Sequence, residues 1–134
     1  MSAKFAVVGC YPKGSGALQV HELDGASLKL VAQREVPEGV KCATFGATSY
    51  EARQLATGDY AGQLAVWDLE RLGGGGDSAS SSSVGTGAGA APSKAAPVFQ
   101  VKGHTSIINA IDGIGGLNVG SGAPEIVTGS RDGQ

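Results

Sequence analysis

The sequence predicts an all-β protein assembled from repeated antiparallel units, and three observations carry that expectation. Short apolar or alternating segments are separated by turn residues along most of the chain. No stretch sustains a 3.6-residue apolar period. One pattern also recurs: GQLAVWDL at 62–69 repeats GALQVHEL at 16–23, with His21-Glu22 in place of Trp67-Asp68. A second echo pairs TGDYAGQ at 57–63 with TGSRDGQ at 128–134.

Taken in order, KFAVV at 4–8 is an apolar run closed by Gly9. LQVHEL at 18–23 alternates, which places Leu18, Val20 and Glu22 on one face and Gln19, His21 and Leu23 on the other. Residues 28–34, 40–45, 54–57 and 63–69 read as further strands, and LERL at 69–72 as a turn of helix. Strands are expected again at 98–101, 107–111 and 125–128. Between them, 73–97 reads GGGGDSASSSSVGTGAGAAPSKAAP, with Val84 its single branched aliphatic residue. That composition buries too little apolar surface to offset its ordering entropy, so a flexible insertion is expected.

The spacing measures the unit. Gly16 and Gly62 lie 46 residues apart, close to the roughly 40–45 residues of a four-stranded propeller blade. Gly62 and Gly133 lie 71 apart, an excess that the 73–97 stretch accounts for. Lengthening a surface loop costs only about 0.6 kcal/mol per doubling. The expected organisation is therefore a partial first blade and the first three strands of a second over 1–72. The insertion occupies 73–97, and 98–134 holds the second blade's last strand and an incomplete third blade.

Composition excludes some functions. With 10 Lys plus Arg in 134 residues and a net charge of −2, the chain lacks the electrostatic footprint of a nucleic-acid binder. No apolar run approaches the roughly 18 residues of a membrane helix, and the N-terminal residues do not read as a secretory signal. These features predict a cytoplasmic chain, with Cys10 and Cys42 as buried free thiols rather than a disulfide.

Gly103-His104, Thr128-Gly129, Asp132-Gly133 and Val66-Trp67-Asp68 together resemble the WD-repeat family. The resemblance implies a partial β-propeller of about three incomplete four-stranded blades from a seven-bladed parent, its strands labelled a to d outward. It also implies a hydrogen-bonded network of His, Ser or Thr, Asp and Trp in each blade. His104, Thr128 and Asp132 are the members in the last unit, and Thr57 and Trp67 those in the middle one. The middle unit has Ala61 at the Asp position and no Gly-His before Val40. Losing both is coherent, since either alone leaves a buried partner unpaired. These residues are expected to be structural.

Enzymatic readings fail on chemistry. His104 with Asp132 imitates a general-base pair, but no Ser or Cys nucleophile completes a triad in recognisable context. Lys13 precedes Gly14, whereas a phosphate loop needs Lys after its second glycine. Asn118 stands where a dinucleotide fingerprint needs its third glycine. Cys10, His21, Cys42 and His104 lack the paired spacings of zinc sites. No catalytic residue, metal or cofactor is expected.

KCATFGATS at 41–49, LATGDYAGQLAVWDLE at 55–70 and the run from 101 to 133 closely resemble WD-repeat dynein axonemal assembly factors. That resemblance implies a non-enzymatic scaffold, a cytosolic co-chaperone adaptor for axonemal dynein heavy chains linked to a prefoldin-like co-chaperone complex. Nucleic acid and membrane are not expected partners. Candidate partner-binding residues lie in the top-face turns: Tyr11, Lys13, Asp59, Tyr60, Ser130 and Arg131. Tyr60 and Arg131 are of the types that anchor interfaces; the others are also ordinary turn chemistry. The alternatives are a ubiquitin-ligase substrate receptor, or a non-functional fragment, since both ends read as cut within a blade.

Overall fold

A computed structural model of the chain describes residues 3–46, 53–73, 95–114 and 125–134. Its elements are β1 (Ala3–Cys10), β2 (Gly16–Asp24), β3 (Ser27–Val36), β4 (Val40–Thr44), β5 (Gln54–Asp59), β6 (Gln63–Asp68), α1 (Leu69–Gly73), β7 (Phe99–Lys102), β8 (Ile108–Ile114) and β9 (Glu125–Ser130). They form three antiparallel sheets in the orders β1-β2-β3, β4-β5-β6-β7 and β8-β9. The molecule is all-β and open, as in part of a propeller. Most of the expected insertion, 74–94, lies outside the described residues.

Each predicted strand is present, and the differences are at the ends. β1 continues through Gly9 and Cys10 because the ladder persists there, pairing Gly9 with Ala17 and Cys10 with Gly16. A glycine weakens a strand without removing the N–H and C=O that the ladder uses. β9 likewise runs on through Gly129 to Ser130.

Sheet faces follow the alternation. Leu18 and Val20 on β2 are buried, and Gln19 and His21 on the opposite face are half-buried. Leu18, Val20, Ala32 and Val36 of the first sheet pack with Val40, Leu55, Ala65 and Trp67 of the second, and Leu72 of α1 closes this core. Asp68 starts that helix: its Oδ1 accepts the Glu70 amide at 3.0 Å, the expected N-terminal cap.

On its other side the second sheet meets the third. Ile108 is fully buried, and its Cγ2 stands 2.6 Å from where a Cβ on Gly58 would lie, so only glycine admits that approach. β4 packs against β1 and β2 on one side and against β8 on the other. The second and third sheets share a defect: each shifts register near the start of its first strand, between Val40 and Cys42 and between Ile108 and Ala110. Two bulges at one structural position are the signature of a repeated unit.

Candidate interaction face

Three tight turns and two returning loops gather at one end of the sheets. The turns join β1 to β2, β5 to β6, and follow β9. In each, an amide three residues on bonds back to the first residue's carbonyl: Gly14 to Tyr11 at 2.9 Å, Gly62 to Asp59 at 3.4 Å, and Gly133 to Ser130 at 3.3 Å. The three glycines have φ of 94°, 86° and 88°, a region that L side chains adopt only with strain. Gly62 meets a second demand, since a Cβ there would collide with the His104 carbonyl. In the first unit the two demands fall on different residues. Gly14 has the positive φ, and Gly16 lies against the Glu38 carbonyl.

These segments interlock. The Tyr60 amide donates to the Gly39 carbonyl at 2.9 Å, His104 N–H to Gly62 at 3.1 Å, and Arg131 N–H to Ile107 at 3.0 Å. Cys10 Sγ and the Tyr60 ring both flank Gly39. The result is a continuous rim running from the Tyr11 turn, through 37–39 and the Asp59 turn, to the 103–107 loop and the Ser130 turn.

The structure divides the five network residues into two separate sets. In the third sheet, His104 Nε2 lies 2.7 Å from Thr128 Oγ1, and His104 Nδ1 lies 3.3 Å from the Asp132 carboxylate. Asp132 also accepts the Thr105 amide at 2.8 Å, the Thr105 hydroxyl at 3.4 Å and the Gln134 amide at 3.1 Å. The Thr105 amide, with smaller contributions from the Gln134 amide, Ser130 and His104, outweighs desolvation and holds the Asp132 carboxyl at about 2.

In the second sheet the indole N–H of Trp67 donates to Thr57 Oγ1 at 3.0 Å. The Thr57 hydroxyl in turn donates to the Ala65 carbonyl, 3.3 Å away on the facing strand. That carbonyl satisfies the hydroxyl where no histidine is present. The loop explains why none is: 37–39 connects β3 to β4 in three residues, whereas 103–107 takes five between β7 and β8. In the first sheet the corresponding face of β1 carries Phe5, Val7 and Gly9 and offers no hydroxyl. His21 pairs instead with Gln19, at 3.1 Å.

The six candidate contact residues also separate. Asp59 Oδ1 accepts the Ala61 and Gln63 amides at 2.9 and 2.8 Å, so its carboxylate shapes its own turn. Ser130 Oγ donates to the Ser106 carbonyl at 3.2 Å and accepts the Asp132 amide at 3.2 Å. Tyr11, Lys13, Tyr60 and Arg131 are exposed. Sequence reasoning did not single out Thr105, whose amide makes the shortest bond to Asp132. Its adjacency to His104 was the available signal.

One expectation needs correction. Cys42 is half-buried as a free thiol, but Cys10 is exposed, because it ends a strand at a surface turn. The Cys42 thiol donates to the Ile108 carbonyl at 3.4 Å, and burial pushes its pKa up. Among the described residues no cluster of His, Cys, Asp and Glu fits a metal ion, and no helix is long and apolar enough to cross a membrane.

No protein-family model matches the chain. It is 48% identical over 132 residues to dynein axonemal assembly factor 10 of Homo sapiens, and equally so to that of Xenopus tropicalis. It is 42% identical over 132 residues to the protein of that name from Chlamydomonas reinhardtii. Each alignment takes in 98% of this chain and 31% of the relative. The chain therefore spans about a third of the length of the curated relatives it matches, and its similarity to dynein axonemal assembly factors runs through all three sheets.

Proposed function

We propose that this chain is a non-enzymatic interaction scaffold in the cytoplasmic assembly of axonemal dynein, acting as a co-chaperone adaptor. The observation that carries the reading is the 48% identity, over nearly the whole chain, to proteins named for dynein axonemal assembly. The rim supports the scaffold part. Within it and in the strands behind it, the buried and half-buried polar groups of Thr57, Trp67, His104, Thr128 and Asp132 are satisfied by one another and by nearby main-chain groups, which suits a rigid platform. WD-repeat blades are the architecture we assign to the three sheets. Axonemal dynein heavy chains and a prefoldin-like co-chaperone complex are the partners we assign to it.

The test is affinity purification of the tagged protein from ciliated-cell cytosol, with quantitative mass spectrometry. Enrichment of axonemal dynein heavy chains and prefoldin-like subunits is the expected result. Enrichment of cullin adaptors would replace this reading with a ubiquitin-ligase receptor, and general chaperones alone would remove any specific scaffold role.

A further inference from the structure

The two ends of the sheets treat charge differently. At the end carrying α1 and the β2–β3 turn, three of the four bases among the described residues are neutralised locally, Lys29 with Asp24 at 3.7 Å, Arg53 with Glu70 at 3.6 Å and Arg71 with Asp68 at 3.4 Å, and Lys4 alone is not. At the rim the pattern inverts. Lys13, Lys41, Lys102 and Arg131 are all exposed there, and among the described residues none forms an ion pair. The rim's acids are drawn toward backbone amides and hydroxyls instead. Asp59 takes the Ala61 and Gln63 amides, Asp132 takes Thr105, His104 and Gln134, and Glu35 accepts the Ser15 hydroxyl at 2.8 Å. Glu38 is the exception, exposed and without such a partner among the described residues. The rim also carries Tyr11 and Tyr60, 41% and 40% exposed, separated by Cys10 and Gly39.

We propose that this rim binds an acidic protein segment carrying an apolar or aromatic residue, with the carboxylates facing Lys13, Lys41, Lys102 and Arg131 and the apolar residue against Tyr11 and Tyr60. Unpaired bases favour a partner of opposite sign, and tyrosine offers a large contact surface at low entropic cost. The chain's net charge of −2 argues against the general counterion-driven attraction that nucleic acid needs. This inference rests on the scaffold reading and adds the chemistry of the partner.

The probe is a short Glu/Asp peptide with one central Phe, titrated into the protein by fluorescence anisotropy, with the tyrosine ring signals followed by NMR. Binding should shift the Tyr11 and Tyr60 rings and weaken as salt rises. Lys13→Glu combined with Arg131→Glu should weaken it by about tenfold or more, whereas Lys4→Glu, at the opposite end, should not change it. Absence of peptide binding, an unchanged affinity in the double variant, or tighter binding of a short polyuridine RNA would each overturn the proposal. Capture of dynein heavy chains is scored separately, so a failed peptide with intact capture removes this inference and leaves the scaffold reading standing.

Discussion

Thr57 and Trp67 show how one hydroxyl holds the interior of the second sheet together. Thr57 is 3% exposed and Trp67 7%, so the indole N–H has no recourse to water if its acceptor is removed. Thr57→Val should cost about 1–3 kcal/mol, the penalty for stranding a buried donor. Adding Trp67→Phe removes that donor, so the double variant should lose less than the two single losses combined. Urea midpoints of the three variants measure this, and a neutral Thr57→Val would refute the bond's importance. Asp132 sets a pH dependence of definite sign. Its carboxyl titrates at about 2 when folded, against an ordinary value of 3.8. The ionised form therefore stabilises the folded turn fully above about pH 4, and the contribution disappears as pH falls through 2. An NMR titration of the Asp132 carboxyl carbon should place the midpoint near 2, and Asp132→Asn should flatten the acid limb of the stability profile. The resemblance to WD-repeat motifs had grouped His104, Thr128 and Asp132. It did not reach Ala65, because a main-chain carbonyl accepting from Thr57 carries no side-chain signature.

At the scale of elements, the glycine turns yield the sharpest contrast. Gly62 and Gly133 have nearly equal φ, 86° and 88°, but different surroundings. A Cβ on Gly133 meets nothing within 4 Å, whereas one on Gly62 runs into the His104 carbonyl and lies 2.8 Å from that of Ser106. Gly133→Ala should therefore cost only the backbone strain of about 1–2 kcal/mol. Gly62→Ala should cost clearly more and should disturb the His104 ring, since the whole 103–107 loop must move. Thermal melts rank the pair, and the His104 ring shifts report the displacement; equal costs would sink the account. The strands were legible because alternation and turn residues both survive in a single sequence. Their ends were not, since ladders extend through glycines on backbone hydrogen bonds that composition does not encode. The repeat was legible through Gly16 and Gly62, yet Gly14 shares the turn conformation with Gly62, a division of roles that only the backbone reveals.

Across the whole molecule, stability is distributed unevenly because the sheets stack in a row. The inner strands of the second sheet are covered on both faces, by Leu18 and Val20 on one side and Ile108 on the other. The outer sheets each leave apolar side chains in water. Phe5, Val7 and Leu28 are 48%, 48% and 60% exposed on the first, and Ile114 and Val127 are 65% and 63% exposed on the third. Phe99 and Val101, on the edge strand β7 of the second sheet, are 52% and 42% exposed. Large apolar side chains exposed on each sheet favour association, and a sheet of two strands is marginal without packing. Amides of β8 and β9 should thus exchange with deuterium well before those of β5 and β6, because the former open without disturbing the core around Trp67. The 134-residue chain produced alone should also associate as its concentration rises, and Val127→Lys with Phe99→Lys should suppress this without unfolding β4–β6. Sedimentation equilibrium and hydrogen exchange test the two halves together. A monomer at every concentration, unfolding in one sharp transition with uniform protection across all three sheets, would show that the open faces do not govern the molecule's behaviour.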